Sequence, residues 1–279
     1  MDIHSKSRKL RDLVEPIAAS VYFSGDAFKL YQDLGVSFLP GYFCSRSACL
    51  GRLNGNVVAA IFGTFNPAVV ALAVEEGWSH TTPEKLLQAR LEGAVSNLKR
   101  LLDDQLPPGV QKATEILRKG TEAARIEGHP LFAGLKSLPW PDDPLGALWR
   151  ASDLVREHRG DSHVCAWTLQ RLSGIEIELL SNAWRGAPIR GHHTVTRGWS
   201  EEQIGDGINS LHSRGLVEGE QLTQKGNDLR SEIEAVTDEG EADILLAISD
   251  QLDDLFDILE PISAKVIEKG GDPLFGAIS

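Results

Sequence analysis

The side chains best able to do chemistry are concentrated in the octet Arg156-Glu-His-Arg-Gly-Asp-Ser-His163, where two imidazoles, two guanidiniums and two carboxylates fall within eight residues. In a cleft, His158 or His163 could act as acid or base, because imidazole titrates near neutral pH. Arg159 could hold an anionic ligand in its planar fork, with Glu157 and Asp161 orienting it. The architectural reading stands beside this one. Gly160 suits the end of one helix and Asp161 the cap of the next, and the arginines can pair with neighbouring carboxylates. His158 and His163 with Glu157 or a cysteine match no familiar zinc spacing, so no metal is expected.

A second concentration is Pro40-Gly-Tyr-Phe-Cys-Ser-Arg-Ser-Ala-Cys-Leu-Gly51. Arg46 could offer a guanidinium inside an aromatic-lined pocket with Tyr42 and Trp167 as walls, or form a salt bridge between domains with ring stacking. Cys44, Cys49 and Cys165 form no CxxC and read as small buried hydrophobes. The His192-His193 pair lies in an irregular stretch between Pro188 and Trp199 and reads as exposed.

The elements that must position these residues follow from periodicity. Ser7 to Tyr22 carries apolar residues at steps of three and four, the mark of an amphipathic helix. Asn66-Pro67 and Thr82-Pro83-Glu84 are helix starts, predicting helices to about Glu76 and Leu102. Another spans Val110 to Arg125. Three prolines between Gly134 and Pro144 mark a boundary. Beyond it the pattern predicts helices over Leu145–His158, Asp161–Arg171 and Ile175–Trp184. Ser200 and Gln203 form a capping box, Gly215 stops that helix, Leu216-Val217 and Leu222-Thr223 read as a short hairpin, and Thr223 caps a helix to Thr237. From about Glu241, Leu245, Ile248, Leu252, Leu255, Leu259, Ile262 and Val266 form a heptad-like stripe, for packing within the chain or for a homodimer, with Pro261 kinking or ending the helix.

The expected class is mainly α (α+β). Residues 1–133 form a helical N-terminal domain, with a degenerate winged helix as a second reading suggested by Gly77-Trp78-Ser79 beside Gly198-Trp199-Ser200. Residues 134–144 are a proline-rich linker, 145–238 a winged-helix domain whose module spans 144–237, and 239–279 a C-terminal packing or dimerisation helix.

Composition narrows the function. A net charge of −12 lowers the expectation of nucleic-acid binding, which draws its affinity from Lys and Arg against phosphate. No 18-residue apolar run occurs, the start is charged and the cysteines are few, so a cytoplasmic protein without membrane association or cofactor is expected.

Several runs carry a family likeness: Leu148 to Trp167, Gly174-Ile-Glu-Ile-Glu-Leu-Leu180, Thr196-Arg-Gly-Trp-Ser200 and Leu222-Thr-Gln-Lys-Gly226, together with Gly41-Tyr-Phe43, Arg46, Leu50-Gly51 and Phe65-Asn-Pro67. In these the chain resembles the SalK-like helix-turn-helix family of actinobacterial proteins, and helix, "RGLV", hairpin, "LTxxG", helix is the MarR-type pattern. The resemblance implies a cytoplasmic winged-helix protein and no particular reaction. The sequence departs from it at Cys49, Cys165 and His192-His193.

In this pattern the recognition helix is Ser200 to Arg214. Its exposed positions carry Glu201, Glu202, Asp206 and Asn209 against His212 and Arg214, and the wing carries Glu218 and Glu220 against Lys225. The sign is wrong for DNA. The expected function is therefore the binding of a small anionic or aromatic metabolite between the two domains by Tyr42, Arg46, Glu157, His158, Arg159, Asp161, His163 and Trp167, with its transformation by His158 and His163 as an extension of that reading. The alternative is a ligand-responsive MarR-like regulator that touches DNA through Asn209, His212, Arg214 and Lys225.

Overall fold

The computed structural model describes residues 2–270 apart from 192, 193 and 195. The His192-His193 pair therefore lies outside the described residues.

The first helix, α1 (Ile3–Ala19), buries Leu10, Leu13, Val14, Ile17 and Ala18 on one face. It is followed by α2 (Gly25–Asp33), capped by Ser24, and α3 (Phe38–Ser47), which continues into a 3₁₀ turn over Ala48–Leu50. Next come α4 (Gly55–Phe62), α5 (Pro67–His80) and α6 (Pro83–Leu101). Proline opens both α5 and α6. Asn66 caps α5 by accepting from the Ala68 amide, whereas Thr82 makes no capping bond. Because Gly77-Trp78-Ser79 lies inside α5, it does not correspond in position to Gly198-Trp199-Ser200, which precedes a helix. Two further helices, α7 (Val110–Ala123) and α8 (Pro130–Lys136), complete this half.

The break expected at Gly160-Asp161 is absent. A single helix, α9 (Pro144–Leu169), runs 26 residues through Gly160. An internal glycine costs only about 1 kcal/mol relative to alanine, and the tertiary contacts on both sides of Gly160 outweigh that. Asp161 does cap a helix, but a distant one: its carboxylate accepts from the Phe132 amide at 3.1 Å, in the first turn of α8.

After α9 come α10 (Gly174–Trp184) and α11 (Glu201–Ser213), each opened by a complete capping box, Ser173 with Glu176 and Ser200 with Gln203. The hairpin pairs β1 (Val217–Glu218) antiparallel to β2 (Gln221–Leu222), with Val217 opposite Leu222. Thr223 then caps α12 (Gln224–Gly240), accepting from the Gly226 amide and donating to the Gly215 carbonyl at 2.7 Å. The glycine of "LTxxG" has a steric cause, since a Cβ on Gly226 would sit 2.0 Å from the Leu216 carbonyl oxygen.

The expected long C-terminal helix is two helices, α13 (Ala242–Ala247) and α14 (Leu252–Glu268); Pro261 lies inside α14 and does not end it. Leu245, Ile248, Leu252, Leu255, Leu259, Ile262 and Val266 are all buried, and α13 and α14 pack on α1 and α7. This stripe is spent inside the chain and offers no seam to a second subunit.

The apolar residues gather in two clusters. The larger draws on α1 to α8, the first half of α9, α13 and α14. The smaller takes the end of α9, α10, α11, the hairpin and α12. Since α9 belongs to both, its central turns lie between two apolar cores, where the polar octet sits. No helix among the described residues is long and apolar enough to cross a membrane.

Candidate functional site

Projecting from a helix packed on several sides, the octet's side chains disperse to different partners. Glu157 faces α3, where Arg46 donates to it from Nη2 at 2.8 and 2.9 Å and from Nε at 3.2 Å. Tyr42 accepts from Arg46 Nη1 at 2.7 Å, and the Tyr22 hydroxyl donates to Glu157 at 3.1 Å. The expected trio Tyr42, Arg46 and Glu157 is thus brought together, as a salt bridge among aromatic rings. Burial alone would raise the Glu157 carboxyl, but Arg46, then Arg156 and Arg90, override it and hold it at about 2.

Arg159 and His163, one turn apart, face α12 instead. Arg159 donates to Glu234 at 2.6 Å and to Ser7 at 2.9 Å. His163 Nδ1 lies 3.2 Å from Thr237 Oγ1, whose own hydroxyl donates to the Ile233 carbonyl, so the ring is the donor. Burial, reinforced by Arg230, pushes His163 down to about 3, which keeps it neutral at pH 7 and leaves it without a proton to deliver as imidazolium. His158 contacts Glu241 at 2.5 Å through Nδ1 and stacks on His129, with ring centroids 4.1 Å apart. His129 donates from Nδ1 to the Glu127 carbonyl and accepts at Nε2 from Ser162 Oγ, each at 2.8 Å. Trp167 belongs to the smaller apolar cluster, Tyr42 to the larger.

Several partners escaped sequence reasoning. Arg90 and Asp153 form a buried pair with contacts of 2.7 and 3.0 Å, and Arg150 lies one turn before Asp153 on α9. A signal for Arg90 existed, since it falls on the α6 stripe Leu86, Ala89, Gly93, Leu98 and Leu101, where a cation implies a buried counter-charge. Glu234, Asp238 and Glu241 are buried at the end of α12 and just beyond it.

Burial pushes the Cys44 and Cys49 thiols up to about 12, and Cys165 is raised as well, so none is poised as a thiolate. Among the described residues no group of three or more His, Cys, Asp or Glu side chains is placed to hold a metal ion.

On α11, Ile204, Gly207, Ile208 and Leu211 are buried, while Glu201, Glu202, Asp206, Asn209 and His212 face outward. Of the neighbouring cations, exposed Arg190 pairs with Glu201 at 3.4 Å, whereas Arg214 and Lys225 turn back toward the protein. Arg214 donates to the carbonyls of Gln170 and Arg171 at 2.9 and 3.1 Å, and Lys225 to the Arg214 carbonyl at 2.8 Å. The start of α11 is also tied to the N-terminal half. Asn66 donates to the Gly198 carbonyl and to Gln203 Oε1, both at 2.9 Å, and Trp199 donates to the Thr64 carbonyl at 3.0 Å. An open groove of about 280 Å³, lined by Ile175, Glu176, Trp199, Gln203 and Asp206 among others, runs beside this junction.

A model of a helix-turn-helix family matches residues 7–273. The chain belongs to this helix-turn-helix family. No curated protein and no solved structure matches it. Membership suggests a DNA-binding, regulator-like protein, and the family's span covers the N-terminal helices as well as α10 and α11.

Proposed function

We propose that this helix-turn-helix protein uses its fold to bind a small anionic metabolite and does not read DNA through α11. In this reading the end of α9, α10, α11, the hairpin and α12 form a winged helix of the MarR type, in keeping with the SalK-like resemblance. The observation that carries it is the outward face of α11, where Glu201, Glu202 and Asp206 are exposed while Arg214 and Lys225 are engaged by backbone carbonyls. Phosphate contacts supply most of the affinity of DNA binding, and this face would repel phosphate. Around the middle of α9, by contrast, Arg46, Arg90, Arg150 and Arg156 gather in the interior, and a guanidinium cluster of this kind suits an anion.

The second reading, a ligand-responsive regulator, is favoured by the family match. Binding of the full chain to a fluorescent duplex from its own promoter region, at low and moderate salt and against an unrelated duplex, separates the two. The expected result is no saturable, sequence-dependent binding at either salt concentration. Saturable binding to the promoter duplex alone establishes the regulator.

A further inference from the structure

Arg150 is 5% exposed, and its Nε and Nη1 are buried without a hydrogen-bond partner. Among the described residues it forms no ion pair within salt-bridge distance; its guanidinium carbon lies 5.8 Å from the centroid of the adjacent Trp149 ring. Beside it, Arg90 spends both Nη atoms on Asp153 and leaves a buried Nε unpartnered. These guanidiniums belong to one interior cluster. Arg46, Arg90, Arg150 and Arg156 face Glu15, Asp153 and Glu157, while Asp161, the fourth carboxyl beside Arg46, is pushed up to about 8 by burial and stays protonated at pH 7, which leaves four positive charges against three negative. Cys49 is the remaining titratable neighbour of Arg150, and burial keeps its thiol neutral. A guanidinium does not shed its proton in a protein, so the surplus charge needs an anion from outside the chain.

From this geometry we infer that Arg150, with Arg90 Nε beside it, binds a compact monocarboxylate. The inference rests on the small-anion reading above and names its seat and ligand class. The ligand is a monoanion because the surplus is a single charge. It is compact because Arg150 is almost fully buried and lines neither of the two open grooves on the surface. It is an oxyanion because the unpartnered atoms are N–H donors, which carboxylate oxygens accept with charge-assisted strength.

The test is thermal unfolding of the full chain in chloride-free buffer at constant ionic strength, titrated with acetate, chloride or phosphate. Acetate is expected to raise the wild-type midpoint saturably, by on the order of 5 °C at about a hundredfold excess over its dissociation constant. Arg150→Met is expected to abolish that rise and to unfold at a higher midpoint than the wild type in anion-free buffer. Should Arg150→Met not fold, Arg150→Gln, which removes the charge and keeps polarity, is read in the same way. Equal acetate stabilisation of wild type and variant overturns the seat and leaves the small-anion reading standing. Chloride or phosphate matching acetate overturns the carboxylate class. If no anion stabilises the wild type, the seat and the small-anion reading both fall.

Discussion

Arg46 and Glu157, 111 positions apart in the chain, meet inside the protein with Nη2 2.8 Å from Oε1 and 2.9 Å from Oε2. The pair ties α3 to the middle of α9, and Arg156 shares the same carboxylate at 3.0 Å. Glu157→Ala strands the buried Arg46 guanidinium, while half-buried Arg156 keeps Glu15 at 3.0 Å, and is expected to cost about 3–5 kcal/mol in urea unfolding. The double variant Arg46→Met, Glu157→Met removes both charges together and should lose less than the sum of the single changes. A Glu157→Ala loss below about 1 kcal/mol would show that water reaches the pair.

Asp161 gives stability a pH dependence. Burial pushes its carboxyl up to about 8 from an ordinary 3.8, against the hydrogen bond from the Phe132 amide. Between those values the folded protein holds a proton that the unfolded chain has released, so this group's contribution to stability falls as pH rises and levels off above about 8. Asn can still accept from Phe132 but does not titrate. The stability of Asp161→Asn relative to wild type should therefore increase steadily from pH 4 to pH 8. A difference curve that is flat over this range rules the account out.

Two glycines on α11 should respond to alanine with opposite signs. A Cβ on Gly205 would meet nothing within 4 Å, so Gly205→Ala gains helix propensity and is expected to stabilise by about 0.5–1 kcal/mol. A Cβ on Gly207 would lie 2.9 Å from Leu179 Cδ1 and 3.1 Å from Ile175 Cγ1, so Gly207→Ala pushes α11 away from α10 and should destabilise. The two denaturation midpoints decide this directly; stabilisation by both would mean that the α10–α11 contact is loose.

The elements were largely legible because their signals are local. Capping boxes at Ser173 and Ser200, proline behind Asn66, and the hairpin between Gly215 and Thr223 each follow from a few neighbouring residues. Gly160-Asp161 misled because a local stop signal was overridden by packing on both faces of α9, and because Asp161 satisfies an amide in α8 rather than in its own helix. The polar octet was visible as a concentration of chemistry, but its partners were not. Glu234 and Glu241 are brought to it by tertiary contact, as Arg90 is to Asp153 just before it on α9, and composition alone does not separate a buried acid from an exposed one.

The acidic face of α11 makes the last prediction. If charge and contact with the N-terminal half keep this helix from DNA, reversing the charge should create affinity where the wild type has none. Glu201→Lys, Glu202→Lys and Asp206→Lys together change three exposed carboxylates into cations. Each cation that neutralises a phosphate contributes about −0.9 to the slope of log K against log salt, so the triple variant should bind any duplex weakly, with a slope between about −2 and −3. Adding Asn66→Ala removes the hydrogen bonds to Gly198 and Gln203 at the start of α11 and should strengthen that binding further, because the N-terminal residues of a recognition helix are the ones that approach the bases. Fluorescence anisotropy over a salt series reads both effects. A triple variant that binds no better than the wild type would mean that this face is held away from DNA by the rest of the chain and not by its charge.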